Sequence, residues 1–183
     1  MNYYFDIQLK PDATMRENIL LNQVYTKLHQ ALSSIQATDI GVSFPHYKLK
    51  LGNIVRLHST ETRLIALQTM KWLGDLEVGC DVSEIQQVPD QVAYRVVSRK
   101  QSNMTEAKLR RLIKRGSISQ GEVRQYKSKM FSQGLDNPYL ELESSSNGHH
   151  HRRFIQFSAI LDKQKDGLFD QFGLSKEATV PIF

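Results

Sequence analysis

The fold is decided by residues 15–35, MRENILLNQVYTKLHQALSSI, in which apolar side chains recur every three or four positions. The recurring set is Met15, Ile19, Leu20, Val24, Leu28, Leu32 and Ile35. This spacing puts the set on one face of an α-helix. Asp12 and Thr14, just upstream, are residue types that cap a first helical turn. The stretch therefore predicts an amphipathic helix that packs against a core.

Strand-like segments lie on both sides of this helix. The predicted elements of the first half are a strand at 3–9, the helix, strands at 40–44 and 54–58, a helix at 60–72 and a strand within 76–88. Strand–helix–strand–strand–helix–strand is the order of a ferredoxin-like domain. We place the end of this domain at the polar run 89–91, which gives a first domain of residues 1–90.

The second half, residues 91–183, predicts a smaller α+β domain. Its predicted elements are a strand at 92–98, helices at 105–115 and 118–130, and strands at 139–142, 153–160 and 180–183. Gly116 is the expected stop of the first of these helices. The predicted fold class is therefore α+β, with a ferredoxin-like βαββαβ N-terminal domain and a smaller α+β C-terminal domain that carries an arginine-rich helix.

Composition favours a protein of the cytoplasm. Hydrophobic residues make up 40% of the 183, which is enough for a packed core. The single cysteine, Cys80, excludes an intrachain disulfide. No apolar stretch approaches the ~20 residues that cross a bilayer, and residues 1–10 have a strand pattern without the features of a signal peptide. We expect no membrane contact.

The positive charge is concentrated in one part of the chain. The net charge is +5, yet the window 95–115 alone holds eight basic residues and one acid, so the rest of the chain sums to −2. A basic surplus confined to 21 residues indicates a binding site for a polyanion, and nucleic acid is the obvious class.

Residues 108–115 carry most of that charge on one helical face. Leu109, Leu112 and Ile113 occupy an arc of roughly 100° on a helical wheel. The opposite side holds the cations Lys108, Arg110, Arg111, Lys114 and Arg115. A solvated helix face is the simpler interpretation, but such faces usually mix acids with bases. Like charges four residues apart repel, and a bound phosphate backbone would relieve this repulsion.

Arg99 and Gln101 precede this helix. On a strand they would point to the same face, and arginine with guanine and glutamine with adenine are the favoured base-edge pairings. The pattern Arg-x-Gln is common, and it leaves RNA and DNA both open as partners. A side chain rarely enters the deep major groove of an RNA helix, although a short hairpin is open at the end of its stem.

Histidines and serines are candidates for chemistry. His29 lies at the edge of the apolar face of the first helix, where a histidine is typical of half-buried packing. His149–His151 alternate in direction on a strand and do not converge on one ion, and the chain has no zinc motif. We interpret them as part of a loop that contacts nucleic acid or solvent. Ser144 and Ser146 would face the same way in an extended segment.

Seven segments together resemble the CRISPR repeat-processing endoribonucleases of the type I-F system. They are 27–32 (KLHQAL), 40–45 (IGVSFP), 97–101 (VSRKQ), 109–115 (LRRLIKR), 142–148 (LESSSNG), 153–155 (RFI) and 172–176 (FGLSK). The resemblance spans nearly the whole chain. It implies a ferredoxin-like domain and a second domain whose arginine-rich helix enters the major groove of a CRISPR repeat hairpin.

The same resemblance implies a role for individual residues. The residues along the hairpin phosphates would be Lys108, Arg110, Arg111, Lys114 and Arg115. Arg99 and Gln101 would read bases at the foot of the stem. The catalytic histidine corresponds to His29, the catalytic serine to Ser144, and Ser146 would lie near the scissile phosphate.

Two positions depart from the family pattern. The ring that positions the histidine is tyrosine in the best-known relatives and is Phe172 here, so it can orient but not transfer a proton. The phenylalanine that stacks on a base is His151 here, and imidazole stacks more weakly.

The implied chemistry needs no metal and no cofactor. RNA supplies its own nucleophile, the 2′-hydroxyl, and a histidine can remove that proton near neutral pH. The expected products are a 2′,3′-cyclic phosphate and a 5′-hydroxyl, with the hairpin retained in a guide-RNA complex with other Cas subunits of an antiviral type I-F effector. A non-catalytic RNA hairpin-binding protein is the main alternative, and a basic DNA-binding module is another.

Overall fold

The computed structural model of the chain describes residues 1–101, 106–132, 137–143 and 150–183. It is a mixed α+β protein of two compact units. The first unit joins Met1–Arg99 to Pro138–Phe183, and the second is Lys100–Asn137. The predicted boundary at residue 90 does not coincide with this division.

A five-stranded antiparallel sheet organises the first unit. Its strands are β1 (Tyr3–Leu9), β2 (Gly41–Ser43), β3 (Ile54–Ser59), β4 (Cys80–Val82) and β5 (Gln86–Gln87). The strand order is β2-β3-β1-β4, and β5 also pairs with β1. Helix α1 (Glu17–Ser34) connects β1 to β2, and α2 (Glu61–Thr69) with a 3₁₀ helix (Gly74–Gly79) connects β3 to β4. The predicted order of elements is confirmed as far as β4, whereas the 3₁₀ helix and the second strand within 76–88, β5, were not predicted.

Alternation along β1 places Phe5, Ile7 and Leu9 in the core, where none is more than 1% exposed. The buried face of α1 is made by Leu20, Leu21, Val24, Tyr25, Leu28, Ala31 and Leu32. Most of the predicted apolar set is therefore confirmed. Ile19 is an exception, because it is 42% exposed, and Met15 and Ile35 are half-buried and lie beyond the ends of α1.

The start of α1 differs from the prediction. Arg16 is its N-cap, with no hydrogen bond from its side chain to the helix. The Asp12 carboxylate instead accepts hydrogen bonds from the backbone N–H groups of Thr14 and Met15, at 2.7 and 2.8 Å. Asp12 thus closes a turn that precedes the helix, because its side chain finds donors before the helix begins. Hydrogen bonds from the Thr14 hydroxyl and from these backbone groups lower the pKa of Asp12.

Two small sheets complete the first unit. One pairs β6 (Ala93–Arg95) with β10 (Val180–Ile182). The other has the order β7-β9-β8, formed by Val97–Lys100, His150–Phe157 and Tyr139–Glu143. The single strand predicted at 92–98 is therefore wrong, because the chain leaves one sheet and enters another at Val96. The loop interpretation of the histidine run is also wrong for His150 and His151, which begin β9.

The second unit contains α3 (Glu106–Lys114) and α4 (Gln120–Ser132). Gly116 ends α3 with a φ of 64°, and the N–H groups of Gly116 and Ser117 donate to the carbonyls of Ile113 and Leu112. This arrangement is a Schellman motif and confirms the predicted stop. At the start of α4, Ser119 and Glu122 exchange side-chain hydrogen bonds in a capping box.

Candidate active site

His29 is half-buried on α1, and one nitrogen of its ring is anchored to the protein. Its Nδ1 lies 2.8 Å from the backbone oxygen of Gln171. A carbonyl oxygen can only accept a hydrogen bond, so Nδ1 carries the proton and donates it. In the neutral imidazole Nε2 then keeps a free lone pair. This tautomer leaves Nε2 as the atom that can accept a proton from a substrate.

The phenyl ring of Phe172 lies flat against His29. The two ring centroids are 3.6 Å apart and the planes are inclined by 12°. The imidazole therefore has two restraints, a hydrogen bond in its plane and a ring on its face. Together they fix both the position and the tilt of Nε2. The orienting role of Phe172 in catalysis stays a prediction.

The segment that presents Phe172 is held by two side chains. The Tyr25 hydroxyl donates to the Phe172 carbonyl at 2.6 Å. The Asp170 carboxylate accepts hydrogen bonds from the backbone N–H groups of Phe172 and Leu174, at 2.9 and 3.0 Å. Burial raises the pKa of Tyr25, with a further rise from the nearby Asp170, so the hydroxyl remains a proton donor.

Gly173 lets this segment pass close to the central sheet. Its φ is +68°, a conformation that side chains other than glycine rarely adopt. A Cβ atom at this position would lie 2.3 Å from Cγ2 of Val42, and the Gly173 carbonyl accepts a hydrogen bond from the Val42 N–H at 2.9 Å. Phe172 is thus placed by a backbone turn that excludes any larger residue.

One line of residues along α1 makes three of the contacts to this segment. Tyr25, His29 and Ser33 are spaced by four, and the Ser33 hydroxyl donates to Oε1 of Gln171 at 2.7 Å. Residues four apart on a helix lie above one another on the same face. Sequence reasoning missed Tyr25, Ser33 and Gln171. The polar stripe at i, i+4 and i+8 was the available signal for the first two.

The predicted serines Ser144 and Ser146 lie outside the described residues. The described strands β8 and β9 are paired at their ends, with Glu143 opposite His150. Residues 144–149 thus join two adjacent strand ends. Whether Ser144 reaches the ribose near His29 stays a prediction.

His151 and Arg153 lie on β9. His151 is exposed and is opposite Leu142 in the ladder. Arg153 is two residues further along, so its side chain leaves the strand on the same face. The guanidinium carbon of Arg153 lies 3.4 Å from the centroid of the Phe172 ring. Sequence reasoning missed Arg153, which the structure places beside the imidazole–phenyl pair.

The predicted phosphate-binding cations are exposed on α3 and at its C-terminal end. They are Lys108, Arg110, Arg111, Lys114 and Arg115. Leu109 is 1% exposed and anchors the apolar side, whereas Ile113 is 50% exposed and does not. Arg99, in the first unit, and Gln101, in the second, are both exposed. Strand β7 ends at Lys100, so Arg99 lies on the strand and Gln101 lies beyond it. The alternation of side chains along a strand, which predicted that the two share a face, therefore does not extend to Gln101.

The buried histidine of the first unit, His58, differs from His29. It is 0% exposed, and its Nε2 lies 2.8 Å from the Ser43 hydroxyl. Burial, followed by the charge of Arg56 and the N-terminal ammonium, lowers the pKa of His58 to about 3. His58 is therefore a neutral core residue at physiological pH.

Within the described ranges, no three His, Cys, Asp or Glu side chains are placed to hold a metal ion. The metal-free mechanism nevertheless stays a prediction. None of the described helices has both the length and the apolar character to cross a membrane.

The sequence matches a known family along almost its whole length. The family model described as CRISPR-associated protein (Cas_Csy4) matches residues 4–183. The CRISPR-associated endonuclease Cas6/Csy4 of Pseudomonas aeruginosa strain UCBPP-PA14 is 36% identical over 187 residues, with 100% of both chains covered. The protein of the same name from Escherichia coli strain UTI89 is 32% identical, again with 100% of both chains covered. The chain belongs to the Cas_Csy4 family.

A more distant likeness is found among solved structures. The CRISPR endoribonuclease Cse3 bound to a 19-nucleotide RNA matches with a TM-score of 0.36 and 12% identity, over 99% of this chain and 100% of that one. A likeness at this level carries no conclusion about fold or site.

Proposed function

We propose that this protein is an endoribonuclease that cleaves the repeat hairpin of CRISPR precursor RNA. Two findings support the assignment: membership of the Cas_Csy4 family and full-length similarity to two proteins named CRISPR-associated endonuclease Cas6/Csy4. The observation in the structure that carries it is His29, whose Nδ1–H is anchored on Gln171 and whose Nε2 is left to accept a proton.

In the proposed reaction Nε2 of His29 takes the proton of the ribose 2′-hydroxyl next to the scissile phosphate. The 2′-oxygen then attacks the phosphorus, and the bond to the 5′-oxygen of the next nucleotide breaks. The products are a 2′,3′-cyclic phosphate and a 5′-hydroxyl. A positioned general base contributes roughly 10²- to 10⁴-fold to such a step. The proton needed by the leaving oxygen comes from solvent, since we assign no general acid.

The positioning of the substrate is assigned to the region of the β8–β9 connection. We propose that Ser144 holds the 2′-oxygen in line and that Ser146 lies near the scissile phosphate. His151, exposed at the start of β9, would stack on the base at the foot of the stem. Phe172 orients His29 and takes no part in proton transfer.

Binding of the hairpin is assigned to the second unit and to Arg99. The exposed cations of α3 and its C-terminal end would neutralise phosphates along the major groove of the hairpin stem. These cations are Lys108, Arg110, Arg111, Lys114 and Arg115. Arg99 and Gln101 would supply base recognition, because bidentate side chains discriminate bases where phosphate contacts do not.

The finer aspects of fold and cellular context belong to the same proposal. The strand order β2-β3-β1-β4, with α1 and α2 as connections, supports the proposal of a ferredoxin-like arrangement for residues 1–90. Residues 91–183 would form the RNA-binding domain. We further propose that the enzyme acts in the cytoplasm without a metal or cofactor, and that it keeps its hairpin product within a type I-F effector complex.

The test is cleavage of the cognate repeat hairpin by the purified protein in EDTA, with analysis of the fragment ends. We expect cutting at one position, a 2′,3′-cyclic phosphate and a 5′-hydroxyl. A hairpin with a 2′-deoxyribose upstream of the scissile bond should bind but remain whole.

Three other results would contradict the proposal in distinct ways. Cleavage that EDTA abolishes and magnesium restores would mean that the reaction uses a metal-activated water in place of His29. Cutting of the 2′-deoxy hairpin would remove the 2′-hydroxyl as nucleophile. Tight hairpin binding with no cleavage under any condition would make the protein a non-catalytic RNA-binding protein.

A further inference from the structure

Two arginines are buried in the first unit, and they differ in what compensates their charge. Arg56 is 8% exposed and forms a two-point ion pair with Asp6, through Nε to Oδ1 at 2.7 Å and Nη2 to Oδ2 at 2.8 Å. Arg153 is 6% exposed, and within the described part of the chain its Nε has no hydrogen-bond partner and no carboxylate lies within 4.0 Å. A buried charge without a partner is unfavourable.

The surroundings of Arg153 compensate the charge only in part. Burial lowers the pKa of Arg153, and the charge of Arg99 lowers it further. Asp170 and Tyr25 raise it, but neither is close enough for an ion pair or a hydrogen bond. The closest compensation described is the π-face of Phe172, 3.4 Å from the guanidinium carbon. A cation over an aromatic face is attracted by the negative potential of that face.

Arg153 and His29 lie on opposite faces of the Phe172 ring. The imidazole is nearly parallel to the phenyl ring, with centroids 3.6 Å apart, and so occupies one face completely. The guanidinium carbon of Arg153 lies 3.4 Å from the same centroid. Two flat groups at these distances cannot share one face. The three side chains therefore form a stack in the order Arg153, Phe172, His29.

Contacts on both faces of the Phe172 ring contribute to its orientation. Hydrogen bonds from Tyr25 and to Asp170 fix the backbone of Phe172, but they leave rotation of its side chain free. A phenyl ring has no atom that forms a strong hydrogen bond, so it can be restrained only through its faces and edges. Arg153 supplies a firm support, because its backbone lies within β9 opposite Leu140.

We propose that Arg153 is a positioning residue for His29 and that it acts through Phe172. Its guanidinium holds the far face of the ring, so that the near face keeps the imidazole aligned for proton transfer. This inference rests on the proposed role of His29 as the general base. Arginine suits the task, since the guanidinium is planar, stacks on aromatic faces and stays charged at any physiological pH.

The first test measures the stack without RNA. Protons above the face of a phenyl ring resonate upfield, so the carbon-bound imidazole protons of His29 report its contact with Phe172 by NMR. We expect Arg153→Ala to move these resonances downfield, toward those of an unstacked histidine. Arg152→Ala is the matched control, because Arg152 directly precedes Arg153 in β9, is exposed and pairs with Glu141 at 2.9 Å. It should leave the resonances of His29 in place.

The second test measures cleavage of the repeat hairpin at saturating protein. We expect Arg153→Ala to slow single-turnover cleavage by about tenfold to a hundredfold, as misplacement of a reacting group does, with the hairpin Kd unchanged. Arg153→Lys should restore part of the lost rate, because an ammonium can also lie on a ring face. Arg153→Met fills the space without charge and serves in place of the alanine variant if that variant does not fold. The expected order of rates is wild type, Lys, Met.

Three outcomes would overturn the inference. One is an Arg153→Ala enzyme whose His29 resonances and rate equal those of the wild type. Another is slower cleavage with unmoved resonances, which would mean that Arg153 acts on the RNA directly. The third is a Met variant as fast as the Lys variant, which would reduce Arg153 to packing. Failure of the proposed function is distinct from these, since the wild-type protein itself would then leave the hairpin whole.

Discussion

Nδ1 of His29 donates a hydrogen bond to the backbone oxygen of Gln171 at 2.8 Å, although the two residues are 142 positions apart in the chain. The contact joins the first helix to a segment near the C-terminus. It selects one tautomer of the imidazole and leaves Nε2 with a free lone pair. One helical turn later, the Ser33 hydroxyl donates a hydrogen bond to the side chain of the same glutamine, Gln171. The position of the His29 ring is therefore set by the tertiary structure and does not depend on the helix alone.

The first prediction concerns His29 itself. We expect His29→Ala to abolish hairpin cleavage and to leave hairpin Kd nearly unchanged, because the half-buried ring is assigned to proton transfer and the cations of α3 to binding. The loss should be on the order of 10²-fold or more. His46→Ala is the control, since His46 is exposed and its ring contacts Asn53. Equal loss of binding and cleavage in His29→Ala would make His29 a structural residue.

Local sequence patterns predicted which helices and strands form. Long-range contacts determine where these elements end and which residues make up the candidate site. Residues 3–9 and Gly116 were predicted correctly, because alternation and a C-terminal glycine act within a few residues. The strand at 92–98 was not, because its two halves pair with distant strands in different sheets. Arg153 was missed for the same reason. Nothing near it in sequence indicates that Phe172 and His29 complete its surroundings.

The second prediction concerns Gly173. We expect Gly173→Ala to lower the free energy of unfolding more than Gly74→Ala does, although the two glycines have similar φ values of +68° and +55°. A Cβ atom added to Gly74 would meet no other atom within 4 Å, so its substitution tests backbone strain alone, roughly 1–2 kcal/mol. Gly173 adds a clash with Val42, of roughly 1–3 kcal/mol. Urea unfolding measures both variants.

The clash with Val42 would displace the segment that carries Phe172. Gly173→Ala should therefore also slow cleavage, whereas Gly74→Ala should not. Equal destabilisation by the two substitutions would show that the segment yields to the added methyl group. In that case Phe172 would not be fixed by the turn.

The third prediction concerns the cations of the second unit. We expect Arg115→Ala to weaken hairpin binding and to lower the slope of log K against log salt concentration by about one, as the loss of one phosphate contact does. Arg124→Ala is the matched control, because Arg124 is an exposed arginine on α4 of the same unit. Its slope should stay at the wild-type value. Equal effects of both substitutions would indicate that the overall charge of the protein attracts the hairpin and that α3 makes no specific phosphate contact.

The fourth prediction concerns the stability of the first unit at low pH. The pKa of His58 is about 3 in the folded protein, against about 6.5 for a histidine in an unfolded chain. Between these values the unfolded state binds more protons, so the free energy of unfolding falls as the pH falls from about 6.5 toward 3. A single such group contributes up to about 1.4 kcal/mol for each pH unit in this window.

The measurement is urea unfolding at several values between pH 7 and pH 4, with His58→Leu compared with the wild type. Loss of the hydrogen bond to Ser43 destabilises His58→Leu equally at every pH. The slope of the free energy of unfolding against pH therefore isolates the titration of the buried ring. We expect a shallower slope for His58→Leu than for the wild-type protein. A wild-type slope in His58→Leu would mean that His58 is protonated without unfolding, and that burial does not keep it neutral.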